Sequence, residues 1–254
     1  MAALHPTVVI TGANGAIGSA TAAALARRGA RVVALTRAEV DLSSMASVRA
    51  AAKAINHGGG HIDALLNVAA VFAPAYTKSA EGFELMLATN HLGPFLFTNL
   101  LRDRLSRGGR VVNVTAPSNT TVDLDRLLDR DRFSALHGFG ASKAANLLFT
   151  FELARRAKRW DVRANAFHPG LVRSNLMGEA PAAIRVLTRL VSGTPARAAE
   201  DLTELALSPA FAGTTGWFFK RTRRIDPPKS MQDVTTQSVL WKRSAELVEL
   251  EGGF

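Results

Sequence analysis

The sequence predicts an α/β protein built on a three-layer, doubly wound parallel sheet. Three observations lead there. Short apolar runs alternate with helix-period segments along the chain, a glycine-rich turn separates the first run from the first helix, and the composition supports a large core. The runs at 8–10, 31–35, 64–68, 110–114 and 162–166 are nearly continuous in apolar residues, as strands covered on both faces are. Between them the helical period marks 17–28, 45–55, 83–105 and 143–159. Pro227-Pro228 then turns the chain into a last helix at about 231–250. No linker, repeat or low-complexity block interrupts the pattern, so 1–254 is read as one domain.

Composition narrows the class. Of 254 residues, 47% are hydrophobic and 20% charged, which supports a folded core and argues against disorder. No apolar run reaches the roughly 18 residues of a membrane helix. The first strand starts so near the beginning that no leader is expected. The absence of cysteine excludes disulfides, thiol catalysis and cysteine–metal sites, and no metal is expected. A cytoplasmic, small-molecule protein is the simplest reading. The net charge of +10 gathers at Arg102, Arg104, Arg107 and Arg110, at Arg155, Arg156, Lys158 and Arg159, and at Lys220, Arg221, Arg223 and Arg224. Solvated faces are the ordinary account of such clusters. Attraction of an anionic or carrier-bound substrate is the sharper one. No nucleic-acid motif accompanies the charge, and no nucleic-acid or membrane partner is expected.

The turn after the first strand reads Thr11-Gly12-Ala13-Asn14-Gly15-Ala16-Ile17-Gly18. Glycines there let the backbone turn tightly and let a pyrophosphate approach the free N–H groups of a helix N-terminus. Between strand and helix this points to a nucleotide. The second strand ends at Thr36-Arg37, with no acid before Glu39. An acid there would hold the ribose 2′-hydroxyl of NAD(H), and an arginine suits a 2′-phosphate, so NADP(H) is expected. The chain then runs at once through Val40-Asp41-Leu42 into a helix. A parallel neighbour needs a crossover of about a dozen residues, so six strands are expected, with the usual third strand and its helix deleted.

These features together resemble the short-chain dehydrogenase/reductase superfamily, whose fold is of the Rossmann type, over nearly the whole chain. The glycine spacing is similar to that of extended members. Residues 37–42 resemble the dTDP-4-dehydrorhamnose reductase branch. Asn67-Val68-Ala69-Ala70 resembles the Asn-Asn-Ala-Gly turn, departing from it at Val68 and Ala70. Asn90-His91-Leu92-Gly93 and His168-Pro169-Gly170-Leu171-Val172-Arg173-Ser174 are similar to retinol-dehydrogenase-like members. The resemblance assigns the cofactor to Gly12, Asn14, Gly15, Ile17, Gly18, Arg37, Asp41, Leu42, Asn67, Ala69, Lys143, Pro169, Val172 and Ser174. It also implies a homodimer through the helices beginning near Phe83 and Lys143.

The active centre of that family is Asn, Ser, Tyr and Lys, with tyrosine four residues before lysine on one helical face. The resemblance places Asn90 and Lys143 in it, but Phe139 stands where the tyrosine belongs and Ala116 where the serine belongs. A positioned general acid is worth about 10²–10⁴ in rate, and a lost oxyanion donor costs about 10²–10³. Neither phenylalanine nor alanine supplies either effect, so ketone reduction by the family mechanism is not expected. His137 could titrate near neutrality as a replacement acid, or simply sit in a surface loop. Thr115 and Ser118 could bond a substrate oxygen, or satisfy local backbone. Tyr76, Glu81 and Asp129 have no supporting pattern. The leading expectation is hydride transfer from NADP(H) to an activated small molecule, an iminium or conjugated alkene. A redox-neutral cyclase, dehydratase or isomerase, and a non-catalytic nucleotide-binding protein, remain as alternatives.

Overall fold

A computed structural model describes residues 5–105, 107–170, 172 and 193–254. The strands are β1 (Thr7–Thr11), β2 (Arg31–Leu35), β3 (Ala64–Asn67), β4 (Arg110–Val114), β5 (Arg163–His168), β6 (Phe218–Lys220) and β7 (Arg223–Ile225). They form one sheet in the order β2-β1-β3-β4-β5-β6-β7. The first six are parallel, and β7 returns antiparallel to β6. The doubly wound class and the six parallel strands agree with the sequence reading, but the total is seven. The addition is β7, joined to β6 by a two-residue turn, Arg221 and Thr222, and the three-residue arms of this hairpin carry too little periodicity to be read locally.

The longer helices are α1 (Ala16–Arg27), α2 (Met45–His57), α3 (Gly93–Leu100), α4 (Ala135–Arg156), α5 (Pro195–Leu207) and α6 (Val234–Leu247). α1 and α5 cover one face of the sheet, packing Leu25, Leu202 and Leu205 on Val8, Ile10 and Leu66. α2, α3 and α4 cover the opposite face through Val48, Phe95 and Leu148, with α6 packed outside them through Trp241. The central strands β1, β3, β4 and β5 are therefore covered on both faces, and this is why they read as continuous apolar runs. No helix among the described residues is long and apolar enough to cross a membrane.

No helix separates Leu35 from Asp41. Residues 37–39 form a turn in which Val40 N donates to Thr36 O at 3.0 Å, and the Val40 side chain enters the core.

Three of the predicted helices have other boundaries than the periodic reading gives, and one helix was not predicted. The stretch 83–105 is not one helix: Leu85–Leu87 leads into a π-helical turn, Ala88–Leu92, then α3, a break, and Arg102–Leu105. Glu84 starts it by accepting from Met86 N and Leu87 N, a cap that periodicity alone does not reveal. α4 starts at Ala135 rather than Lys143, so His137 and Phe139 lie on the helix. It stops at Arg156 before the short turn Ala157–Trp160. The last helix is shorter than 231–250, and α5 has no counterpart among the predicted helices.

α6 lies across α3 and α4. Trp241 wedges against Phe95 and Phe149, with ring centroids 4.9 and 5.8 Å away, under the Arg156 guanidinium at 4.7 Å. Ser244 bonds the buried His91 ring at 2.8 Å, and Phe254 N donates to Asn99 at 3.0 Å. α6 thus covers part of the α3–α4 surface. Removing the wedge should be costly. Trp241→Ala is expected to lower unfolding stability by about 3–5 kcal/mol, as read by denaturant titration.

Candidate functional site

Strand ends set the geometry, because all six parallel strands present their carboxyl ends on one rim of the sheet. At β1 the chain turns at Gly12, whose φ of 70° is a left-handed conformation. A Cβ on Gly12 would lie 2.8 Å from Ala69 Cα, and one on Gly18 would lie 2.8 Å from the carbonyl carbon of Gly12. These two glycines serve close packing between the turn, β3 and α1. Gly15 is different: apart from Gly12 O at 3.3 Å, its missing Cβ opens onto free space. Gly15 caps α1 without a side-chain hydrogen bond, and no acid occupies the first turn. The amides there are free for an anion, with Asn14 and Gly15 exposed and Ile17 half-buried beside them.

The end of β2 carries Arg37, exposed over 69% of its side chain and paired loosely with Asp41 at 3.4 Å. Glu39 folds back to accept from Thr36 N at 2.8 Å and Thr36 Oγ1 at 2.6 Å, and those bonds hold its carboxyl below the usual range. Burial pushes the Asp41 carboxyl upward, but hydrogen bonds from Ser43 and the nearby Arg37 outweigh it, leaving a net lowering. Leu42 is 3% exposed and packs in the core, its carbonyl carbon 3.0 Å from where a Gly93 Cβ would stand.

On α4, Lys143 is 5% exposed. Its ammonium makes no hydrogen bond or ion pair among the described residues, and it lies 5.4 Å from the centroid of the Phe139 ring. Desolvation pulls this amine down to about 8, so it is still charged at neutral pH. Phe139 packs edge-on to Phe72, 5.7 Å away, within an apolar wall that includes Met86. The four-residue spacing therefore places the pair as the sequence implies.

The other centre residues are committed to holding parts together. Asn90, in the π turn, donates to Val71 O and Ser142 Oγ, each at 3.0 Å, and accepts from Val71 N at 2.8 Å. It clamps the loop after β3 onto α4. Thr115 Oγ1 donates to Lys143 O at 2.7 Å, fastening the end of β4 to the same helix. Ala116 is half-buried, and Ser118 bonds Thr120. Asn67 is buried and donates to Thr98 and Asn113, which links onward to Thr150. Its Oδ1 has no partner among the described residues.

His137 is not brought to Lys143. Two helical positions before Phe139 amount to about 200° around α4, and there burial and the Arg126 guanidinium hold the imidazole below its ordinary range, against Asp123. It is a helix residue, not the loop residue the sequence suggests. Tyr76 donates to Leu128 O, and Glu81 accepts from Ser44 and Ala46 N. Pro169 is half-buried, Val172 forms a bridge with Gly193, and Ser174 lies outside the described residues. Sequence reasoning missed the Phe72 wall, the Asn90–Ser142 contact and the β6–β7 hairpin. The apolar triplet Trp217-Phe218-Phe219 was the available signal for the hairpin.

A glycine turn at the head of a parallel sheet, with a lysine helix facing the same rim, is the architecture of dinucleotide-fold oxidoreductases. Residues 7–216 match the family described as enoyl-(acyl carrier protein) reductase. Retinol dehydrogenase 14 of Mus musculus is 34% identical over 285 aligned positions, covering 95% of this chain and 85% of that protein. Retinol dehydrogenase 12 of Homo sapiens is 35% identical over 271, again covering 95% and 85%. Among solved structures, a Mycobacterium paratuberculosis protein of 32% identity superimposes with a TM-score of 0.80 over 98% of this chain and 95% of its own. A 3-alpha-hydroxysteroid dehydrogenase from Pseudomonas sp. B-0831, complexed with NADH, shares the fold at 23% identity and a TM-score of 0.71, over 84% and 94%. The chain belongs to the short-chain dehydrogenase/reductase superfamily.

The isolated ammonium should be visible in stability. Its folded pKa is depressed from 10.5 to about 8, so its charging opposes folding fully below about 8 and ceases to do so above 10.5. Lys143→Met is expected to raise stability at pH 7 by at most about 3 kcal/mol. The gain should shrink as pH climbs from about 8 toward 10.5, as followed by thermal melts at several pH values. A gain that does not change with pH would contradict the burial of a charged amine.

Proposed function

We propose that this protein is an NADP(H)-dependent reductase of conjugated alkenes, working without the hydroxyl acid pair of its family. The observation that carries the reading is the Lys143 side chain, 5% exposed and without a hydrogen-bond partner among the described residues, beside the Phe139 ring; the family resemblance sets Ala116 where the serine belongs. The residues present fit a nicotinamide dinucleotide: Gly15 leaves open space at an uncapped helix N-terminus, Arg37 is exposed at the end of β2, and Lys143 lacks an acceptor such as ribose hydroxyls provide. When bound, that cofactor supplies the hydride.

Electrostatics favours one of the two activated substrates. An unpaired ammonium in a low-dielectric site stabilises negative charge developing nearby and opposes a second cation. Conjugate addition of hydride turns an enone or enoyl thioester into an enolate, which Lys143 favours, whereas an iminium brings a positive charge. The enoyl reductase description of the matching family points the same way. The apolar wall of Phe72, Met86 and Phe139 keeps water from the alkene. Asn90 and Thr115 keep α4 and the rim in fixed relation. The proton that completes the reduction comes from solvent. Arg37, with Glu39 turned onto Thr36, supports NADP(H) over NAD(H).

Purified protein is expected to oxidise NADPH with conjugated enones or enoyl thioesters and to leave isolated ketones untouched. Robust ketone reduction by the natural chain would overturn the reading, and alkene turnover without NADPH oxidation would replace it with a redox-neutral one. NADPH should bind more tightly than NADH by calorimetry, with Arg37→Ala narrowing the difference. Phe139→Tyr combined with Ala116→Ser restores both hydroxyls beside Lys143. That variant should gain measurable ketone reduction and lose alkene activity, because an unpaired buried hydroxyl costs about 1–3 kcal/mol.

A further inference from the structure

The three basic stretches of the sequence meet different fates. In the first, Arg102 bonds Gly253 O and Asp103, Arg104 bonds the carbonyls of Ile55 and Asn56, and Arg110 bonds those of Leu205 and Ser208. In the second, Arg155 and Arg156 close on Glu152, and Arg159 lies 3.7 Å over the Trp160 ring. In the third, Lys220, Arg221 and Arg223 are exposed and make no ion pair or hydrogen bond among the described residues. Arg224 stacks on Trp217 at 4.8 Å. Asp201, within electrostatic reach of Arg221, is already paired with Arg197.

These free cations lie in the β6–β7 hairpin. Lys220 stands in register with His168 at the end of β5, so the turn projects beyond the rim that carries the site. Phe218 and Ile225, a cross-strand pair, pack into the core on the side of α4. The next pair on that face, two residues along, is Lys220 and Arg223. At about 4.8 Å per strand, the hairpin is about 10 Å from the end of β4, where Thr115 meets Lys143. By the same spacing it is about 19 Å from the glycine turn and about 24 Å from Arg37. The phosphates of a dinucleotide held at those two places are out of its reach.

Arg221 adds a second observation. Its φ is 57°, a left-handed conformation that glycine or asparagine adopts far more readily. A strained, charged residue at a two-residue hairpin tip points to use of the side chain.

We propose that the β6–β7 hairpin binds the anionic end of the substrate, a phosphate or carboxylate about 10 Å from the reacting carbon. This rests on the reductase reading and extends it to a class, conjugated alkenes with an anionic tail. Three matched probes test it by calorimetry, with and without NADPH: the N-acetylcysteamine thioesters of 8-phosphooxy-oct-2-enoic acid, of dec-2-enedioic acid at its conjugated end, and of oct-2-enoic acid as the neutral control. At low salt at least one anionic probe should bind about tenfold more tightly than the neutral one. Which of the two binds distinguishes phosphate from carboxylate. The variant Arg221→Gly with Arg223→Ser should lose that advantage without any fall in melting temperature, because glycine relieves the strain. Raising salt from about 50 to about 500 mM should shrink the advantage in the natural chain alone. Equal affinity for all three probes, or an advantage unchanged in the variant, overturns the proposal. Hairpin-dependent capture of an acidic carrier protein without discrimination among the small probes overturns it in favour of a protein partner. Anion discrimination without NADPH oxidation leaves the hairpin assignment standing and sinks the reductase reading instead.

Discussion

Lys143 brings a charge into the interior where no carboxylate meets it, and much of the surrounding structure holds it there. Desolvation of an unpaired ion is costly, and it draws the amine of this α4 residue down to about 8. The helix is pinned at three points: Thr115 grips the Lys143 carbonyl, Asn90 reaches Ser142, and Leu147, Leu148 and Phe149 are packed in the core. The Phe139 ring offers partial compensation through its negative face, worth about 0.5–2 kcal/mol. A tyrosine at that position would offer an exchangeable proton as well. What remains is an ammonium against an apolar wall.

The other end of the rim is shaped by what is missing. Because the chain passes from β2 to α2 through one turn, β2 is the outermost strand, and its pairing edge faces solvent. Arg31 stands at the start of that strand, and the opposite edge, β7, is three residues long with two arginines. Charge and brevity at sheet edges discourage pairing with other chains. In the same short link Glu39 folds onto Thr36 and Arg37 stays exposed, which sets the charge presented at this end of the rim.

Much of this architecture was legible in the residues. The strand runs, the glycine turn and the short link after Leu35 are local features, and they sufficed for the doubly wound class and for locating five of the six parallel strands. The spacing of Phe139 and Lys143 was equally local, since four residues on a helix share a face by geometry. The hairpin was less legible because its three-residue arms owe their conformation to pairing with β5 rather than to their own propensity. The break at Asn90 depends on Val71 and Ser142, which are distant in sequence.

What the sequence determined by itself, then, was the order of elements and which residue types face the rim, because periodicity and turn chemistry act over a few residues. Tertiary structure alone decided how those residues are employed: that Asn90 and Thr115 are fasteners, that His137 turns away from Lys143, that α6 covers α3 and α4. It also decided which arginines are spoken for. Similar basic runs supplied carbonyl ligands, carboxylate partners or free cations according to the neighbours that folding brought to them. A charge shows in sequence, but its counter-charge is a property of contact.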